Sequence, residues 1–163
     1  MAATETTINN EVQPEPVIIY LKMDDYLAQW LINDCGGSPV KFRKNSAETD
    51  LLRIFLSKKP LFARPDKPGP GKIPIALPFF KNMNMEVQNY LSKEARRALL
   101  ECIRQRFLIN LWSDLYKFGN IGKRKQDLIW AWMSTHGIEL TETNWNTISK
   151  IYKRKRDIYR RRL

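Results

Sequence analysis

His136 is the only histidine in the 163 residues, and Cys35 and Cys102 are the only cysteines. A Ser/His/Asp or Cys/His nucleophile would have to be assembled around His136, and no nucleophile motif lies beside it. It precedes Gly137, where a helix is expected to end and an imidazolium complements the helix dipole. One His and two separated Cys cannot furnish a zinc site. Asp24, Asp25 and Asp34 are the best carboxylates for a hard cation, but the cap and surface of one helix account for them. "GPGK" (69–72) lacks the strand before it and the helix after it that a phosphate loop needs. The expectation is a non-catalytic protein with no metal and no cofactor.

The residues that do suggest chemistry are cationic. "KIYKRKRDIYRRRL" (150–163) holds eight Lys or Arg against one acid, Asp157. The net charge is +11 and it is segregated: residues 1–83 carry 11 Lys/Arg and 9 Asp/Glu, residues 84–163 carry 17 and 8. A basic balance gathered in one half favours a polyanionic partner, because neutralising phosphates releases counterions.

Two helices must carry this charge. "KRKQDLIWAWMSTH" (123–136) reads as one, "GIELTE" (137–142) as a connector, and 143–162 as the other, with Trp145, Ile148, Tyr152 and Tyr159 along one face. In a helix-turn-helix the second helix enters the major groove with its N-terminal residues at base edges. Here those residues are Thr143, Asn144, Asn146 and Thr147, short polar side chains able to read bases. Lys150, Lys153 and Arg154 follow, and Arg160, Arg161 and Arg162 close the helix, all suited to phosphates. Lys123, Arg124 and Lys125 open the first helix, where cations oppose the dipole; contact with an anion makes that cost easier to tolerate. The connector is longer than the usual turn. A basic helix lying on a phosphate backbone or on RNA therefore stays open beside the helix-turn-helix. Trp145, Ile148 and Tyr152 are expected to face Ile129, Trp132 and Met133.

The rest of the chain must support this pair. Residues 1–16 are polar and end in two prolines, which suits a flexible tail. "VIIYLKM" (17–23) reads as a strand, 24–33 as a helix begun by Asp24 and stopped by Gly36 and Gly37, and 46–57 as a helix for whose cap Ser46 and Thr49 compete. Residues 60–72 hold four prolines and two glycines, a linker or a loop laid over the surface. "KIPIALPFF" (72–80) reads as a second strand, kept to an edge by Pro74 and Pro78. A long helix follows, capped by Ser92 and carrying Leu99, Ile103, Phe107 and Leu111 at four-residue spacing.

The order strand, helix, helix in 17–57 also matches a ribbon-helix-helix protein, which would dimerise through its strand. The strand offers only Lys22 to a groove, and the 35–45 connection is too long for that fold.

"VIIYLKMDDYLAQWL", "NSAETDLLRIFLSKKP", "LIWAWMSTHGIEL" and "YKRKRDIYRRR" resemble small uncharacterised proteins of Bacteroidetes phages and mobile elements. The resemblance covers most of the chain. It implies a setting of DNA transactions in such an element, and it carries no activity and no site residue.

The expectation is thus an α+β fold, mostly helical: a tail (1–16), a strand-helix-helix part (17–59), a Pro/Gly-rich linker (60–72), then an edge strand with a basic helical part resembling a helix-turn-helix (73–163). The expected partner is nucleic acid, DNA before RNA, with a homo-oligomer open. The competing reading is an interaction protein whose basic helix binds RNA or an acidic protein. The N-terminus has no signal-peptide pattern, and no apolar run approaches the roughly 18–20 residues that span a bilayer. No membrane partner is expected, and the location expected is the cytoplasm.

Overall fold

The computed structural model describes residues 14–118 and 124–163. Most of the expected tail, Lys123 and the expected helix break at 119–122 lie outside the described residues. Within them the order is β1 (Ile18–Lys22), α1 (Asp25–Asp34), α2 (Ala47–Phe55), β2 (Lys72–Ala76), α3 (Lys93–Leu115), a 3-10 turn (Tyr116–Phe118), α4 (Arg124–Thr135) and α5 (Glu142–Arg161). Five α-helices beside a two-stranded sheet make a mostly helical α+β fold among the described residues.

β1 and β2 are antiparallel partners, with Ile19 opposite Ile75 and Tyr20 opposite Pro74. Proline lacks an N–H, yet it costs the ladder nothing here. Tyr20–Pro74 is a pair that exchanges no hydrogen bonds, and the Pro74 carbonyl turns outward to accept from the Val40 amide at 2.9 Å. Ala76 returns the contact, its N–H donating to the Val40 carbonyl at 2.9 Å. β2 is thus paired with β1 on one side and met on the other only by the single residue Val40, through an isolated bridge. β2 also ends at Ala76, before Pro78. β1 pairs within its own chain, which leaves its β2 side closed to the intermolecular ribbon considered for it.

The sequence chooses its helix ends as side-chain caps require. The Ser46 Oγ accepts from the Thr49 amide at 3.2 Å, and the Ser92 Oγ from the Ala95 amide at 3.1 Å. Asp24 precedes α1 but makes no capping bond with its side chain. α2 stops at Phe55, well before Pro60, because Leu56 turns extended and Ser57 pairs with Tyr90.

α3 organises the core. Ala95, Leu99, Ile103, Phe107, Leu111 and Leu115 recur every four residues and are all buried. The Phe107 ring sits edge-on to Tyr26 at 5.2 Å, to Trp30 at 5.4 Å and to Trp132 at 5.5 Å. One side chain thus joins α1 to α4. A single buried apolar cluster runs from Ile19 to Tyr152, so the parts expected on either side of residues 60–72 share one core. That loop lies against the sheet: the Asp66 carboxylate accepts from the Tyr20 amide at 2.9 Å and pairs with Arg96 at 3.0 Å.

One ionic junction ties three helices together. Arg106 of α3 donates to Glu48 of α2 and to Asp34 of α1, and its guanidinium lies 5.0 Å from the centre of the Trp30 ring. Glu48 is only 1% exposed. Burial works to lower the Arg106 pKa, but Glu48 and Asp34 outweigh it and hold the guanidinium above its ordinary value.

Candidate nucleic-acid interface

α5 begins one residue earlier than the sequence pattern indicates. Thr141 is its N-cap, and the Thr141 Oγ1 accepts from the Asn144 amide at 3.2 Å. The connector between α4 and α5 is therefore six residues, 136–141. It is braced at both ends. Gly137 has φ +70°, and a Cβ there would fall 2.8–2.9 Å from the Asn33 side chain at the end of α1, so only glycine fits without displacement. The Glu139 amide donates to the Gln29 side chain at 2.8 Å.

The apolar stripe of α5 seats it against two helices. Trp145 stacks on Trp130 of α4 at 6.0 Å, and its indole N–H donates to the Gln126 carbonyl at 3.3 Å. Ile148 and Tyr152 are buried. The Tyr152 ring lies 5.6 Å from Trp112, and its hydroxyl donates to the Leu115 carbonyl at 3.4 Å. The stripe expected to face α4 alone is thus shared with α3. Tyr159, at the far end, is half-exposed and packs on Trp112 and Tyr116.

Opposite this stripe, helical spacing brings Thr143, Asn146, Lys150, Arg154 and Arg161 onto one outward face, with Lys153 on its flank, and all six are exposed. Two of the expected base-reading residues do not belong with them. Asn144 is 8% exposed and faces inward, where its amide nitrogen donates to the Glu139 carbonyl at 3.0 Å. It holds the connector closed and is withdrawn as a reader of bases. Thr147 is half-buried, and its hydroxyl donates to the Thr143 carbonyl at 3.0 Å. Arg160 and Arg162 are exposed at the end of α5, and the last-turn arginines complement its dipole.

Arg124 and Lys125 open α4. Arg124 is exposed, while Lys125 is half-buried and turns toward α5. Its ammonium lies 5.7 Å from the centre of the Tyr152 ring. Burial lowers its pKa, and the charges of Arg156 and Arg160 lower it further, against a weaker pull from Asp157. The two basic clusters of the sequence therefore meet at Lys125. Sequence reasoning missed Arg156 as a member of this group. Its Nε is buried without a hydrogen-bond partner, and the Asp157 carboxylate stands off at 3.6 Å. The available signal was its spacing: Arg156 follows Tyr152 by four residues and precedes Arg160 by four, the helical neighbour distance.

The other reactive residues are occupied or isolated. The His136 ring stacks on Trp132 at 4.1 Å, and its Nδ1 lies 2.8 Å from the Trp132 carbonyl, so that nitrogen carries the proton. Asp114 accepts from the Trp132 indole at 2.8 Å, with the His136 Nε2 at 3.6 Å. Cys35 and Cys102 are free thiols, their pKa values raised chiefly by burial. Among the described residues no group of three or more His, Cys, Asp or Glu is placed to hold a metal. No described helix is long and apolar enough to cross a membrane.

No protein-family model matches the chain, and neither a curated protein nor a solved structure is significantly similar to it.

Proposed function

We propose that the protein is a non-catalytic DNA-binding protein, a regulator or accessory nucleoprotein subunit of the phage or mobile-element setting that its resemblance implies. The observation that carries this reading is the meeting of Lys125 with Arg156 and Arg160. The like charges of Lys125 and Arg156, brought together between two helices with Asp157 partly compensating, are a cost to the free protein. A phosphate removes that cost. Thr143 and Asn146, on the leading turns of the exposed face, are the side chains offered to base edges. Lys150, Lys153, Arg154 and Arg161 take flanking phosphates.

Anisotropy of a labelled 20-base-pair duplex, titrated from about 50 to 200 mM salt, tests the reading. Six or more phosphate contacts predict a loss of roughly 10³-fold or more in affinity over that range. Absence of binding at the low-salt end sinks the proposal.

A second reading has an observation of its own. Tyr116 and Tyr159 are 50% and 42% exposed and pack on Trp112 near the same cations. Aromatic rings beside basic residues suit unstacked bases, so RNA or another single strand is the alternative partner. Tighter binding of a single-stranded RNA than of the duplex at equal salt selects it.

A further inference from the structure

A groove of about 520 Å³ lies along the β1 edge that faces away from β2, between the strand, the loop at 63–66 and the start of α3. The strand register determines what that edge offers. The Val17 carbonyl accepts from the Leu77 amide, and Ile19 stands opposite Ile75, so odd-numbered residues spend their backbone groups on β2. Ile18 and Tyr20 turn theirs the other way. At Tyr20 both are satisfied internally: its N–H donates to the Asp66 carboxylate at 2.9 Å, and its carbonyl accepts from Arg96 at 2.7 Å. The Arg96–Asp66 pair, closed at 3.0 Å, occupies the place that a neighbouring strand's peptide group would take. At Ile18 no such substitute exists among the described residues, and its N–H and carbonyl face the groove.

The walls are charged. Lys59, Arg64 and Lys93 line the groove, are exposed, and form no ion pair among the described residues. The one acid in the lining, Asp66, is already neutralised by Arg96. Between the lining residues Lys59 and Ala63, Leu61 and Phe62 are each 97% exposed on a turn closed by the Ala63 amide and the Pro60 carbonyl at 3.0 Å.

We infer that this groove binds an extended acidic peptide of a partner protein by adding it as a short strand to β1. The Ile18 N–H donates to a peptide carbonyl, and the Ile18 carbonyl accepts a peptide N–H. Carboxylates on the peptide meet Lys59, Arg64 and Lys93, while Leu61 and Phe62 give its apolar residues a surface. The Arg96–Asp66 pair ends the added ladder at Tyr20. A nucleic-acid backbone fits less well, because phosphates offer no donor to the Ile18 carbonyl. This site is separate from α5 and does not depend on the DNA reading.

The probe is a blocked, fluorescein-labelled peptide of alternating Glu and Val, seven residues long, with its Lys/Val counterpart as control. Anisotropy at low salt is expected to show binding of the acidic peptide and none of the basic one. Two variants separate the components. Ile18→Pro removes only an outward-facing N–H, which an edge position tolerates, and thermal unfolding confirms that the variant is folded. A folded Ile18→Pro and the doubly substituted Lys59→Glu/Lys93→Glu protein are each expected to lose at least tenfold in affinity. Failure of the acidic peptide to bind overturns the inference. So does retention of affinity by the folded Ile18→Pro, which would reduce the groove to an anion trap. Displacement of the peptide from the unsubstituted protein by an unlabelled duplex, with direct binding of that duplex weakened in the Lys59→Glu/Lys93→Glu protein, also overturns it and assigns the groove to nucleic acid.

Discussion

The ammonium of Lys125 lies 5.7 Å from the centre of the Tyr152 ring, on the flank where Arg156 and Arg160 approach it from α5. The contact with the ring favours the charge; partial burial and the two arginines oppose it. Lys125→Met keeps the stem that packs on Tyr152 and removes the repulsion. The variant is expected to unfold at a slightly higher temperature and to bind duplex more weakly, with a salt slope shallower by about one unit. A melt and a salt titration of the same preparation check both. Unchanged affinity with raised stability would mean that Lys125 meets no phosphate.

The same group gives a signed pH dependence. The folded pKa of Lys125 lies below the ordinary lysine value of about 10.4. Between that lowered value and about 10.4 the unfolded chain keeps a proton that the folded protein has released, so stability from this group rises with pH across the window. Below the window Lys125 is charged in both states, and the folded protein bears the full repulsion. Heteronuclear NMR of the lysine side chain reads its pKa directly. Added duplex is expected to move the value upward, because an anion stabilises the charged form.

Asn144 and Asn146 stand two residues apart in α5 and should fail in opposite ways. Asn144→Ala removes a part-buried hydrogen bond to the connector and is expected to cost about 1 kcal/mol, since the Glu139 carbonyl loses one of its two donors and keeps the Thr141 amide. Its effect on sequence discrimination should be nil. Asn146→Ala is expected to leave stability within about 0.5 kcal/mol and to reduce the preference for a selected duplex over a random one. Urea unfolding and competition binding separate the two.

Arg106 is the severest single loss predicted outside the apolar core. Arg106→Met strands Glu48, which is 1% exposed, and is expected to cost about 3–5 kcal/mol. Adding Glu48→Gln should restore a good part of that, because the uncompensated charge is then gone. A double-mutant cycle from denaturation midpoints measures the coupling.

Gly137→Ala tests the joint between α1 and the α4–α5 pair. The positive φ and the close approach of Asn33 both oppose a methyl group, and a loss of about 1–3 kcal/mol is expected. Asn33→Ala in the same background should recover the steric part and leave the backbone part.

Much of this architecture is local and was readable as such. The caps at Ser46 and Ser92, the four-residue stripe of α3 and the two strands follow from residue types at fixed spacing. What could not be read is long-range. Nothing around Val40 announces that it closes the outer side of β2, and nothing in residues 60–72 announces that Asp66 reaches Tyr20. The candidate site divides in the same way. The exposed positions of Lys150, Lys153 and Arg154 follow from the stripe behind them. Asn144 was misplaced although it stands four residues before Ile148, on the side of the helix that the stripe turns inward. Arg156 escaped notice because its importance arises from Lys125 on another helix.

The pairing of β1 with β2 across residues 23–71 has a consequence for synthesis. Ile19, Leu21 and Trp30 leave the ribosome before the side chains that cover them, Ile75 and then Phe107, which follow only after the intervening chain has been made. The nascent protein therefore carries an uncovered apolar strand and helix until β2 and α3 have been made. β1 and α1 are covered when α3 emerges, and the shared core closes only after α4 and α5 have followed, so the strand and helix made before them are the natural client of any chaperone that meets the chain on the way out.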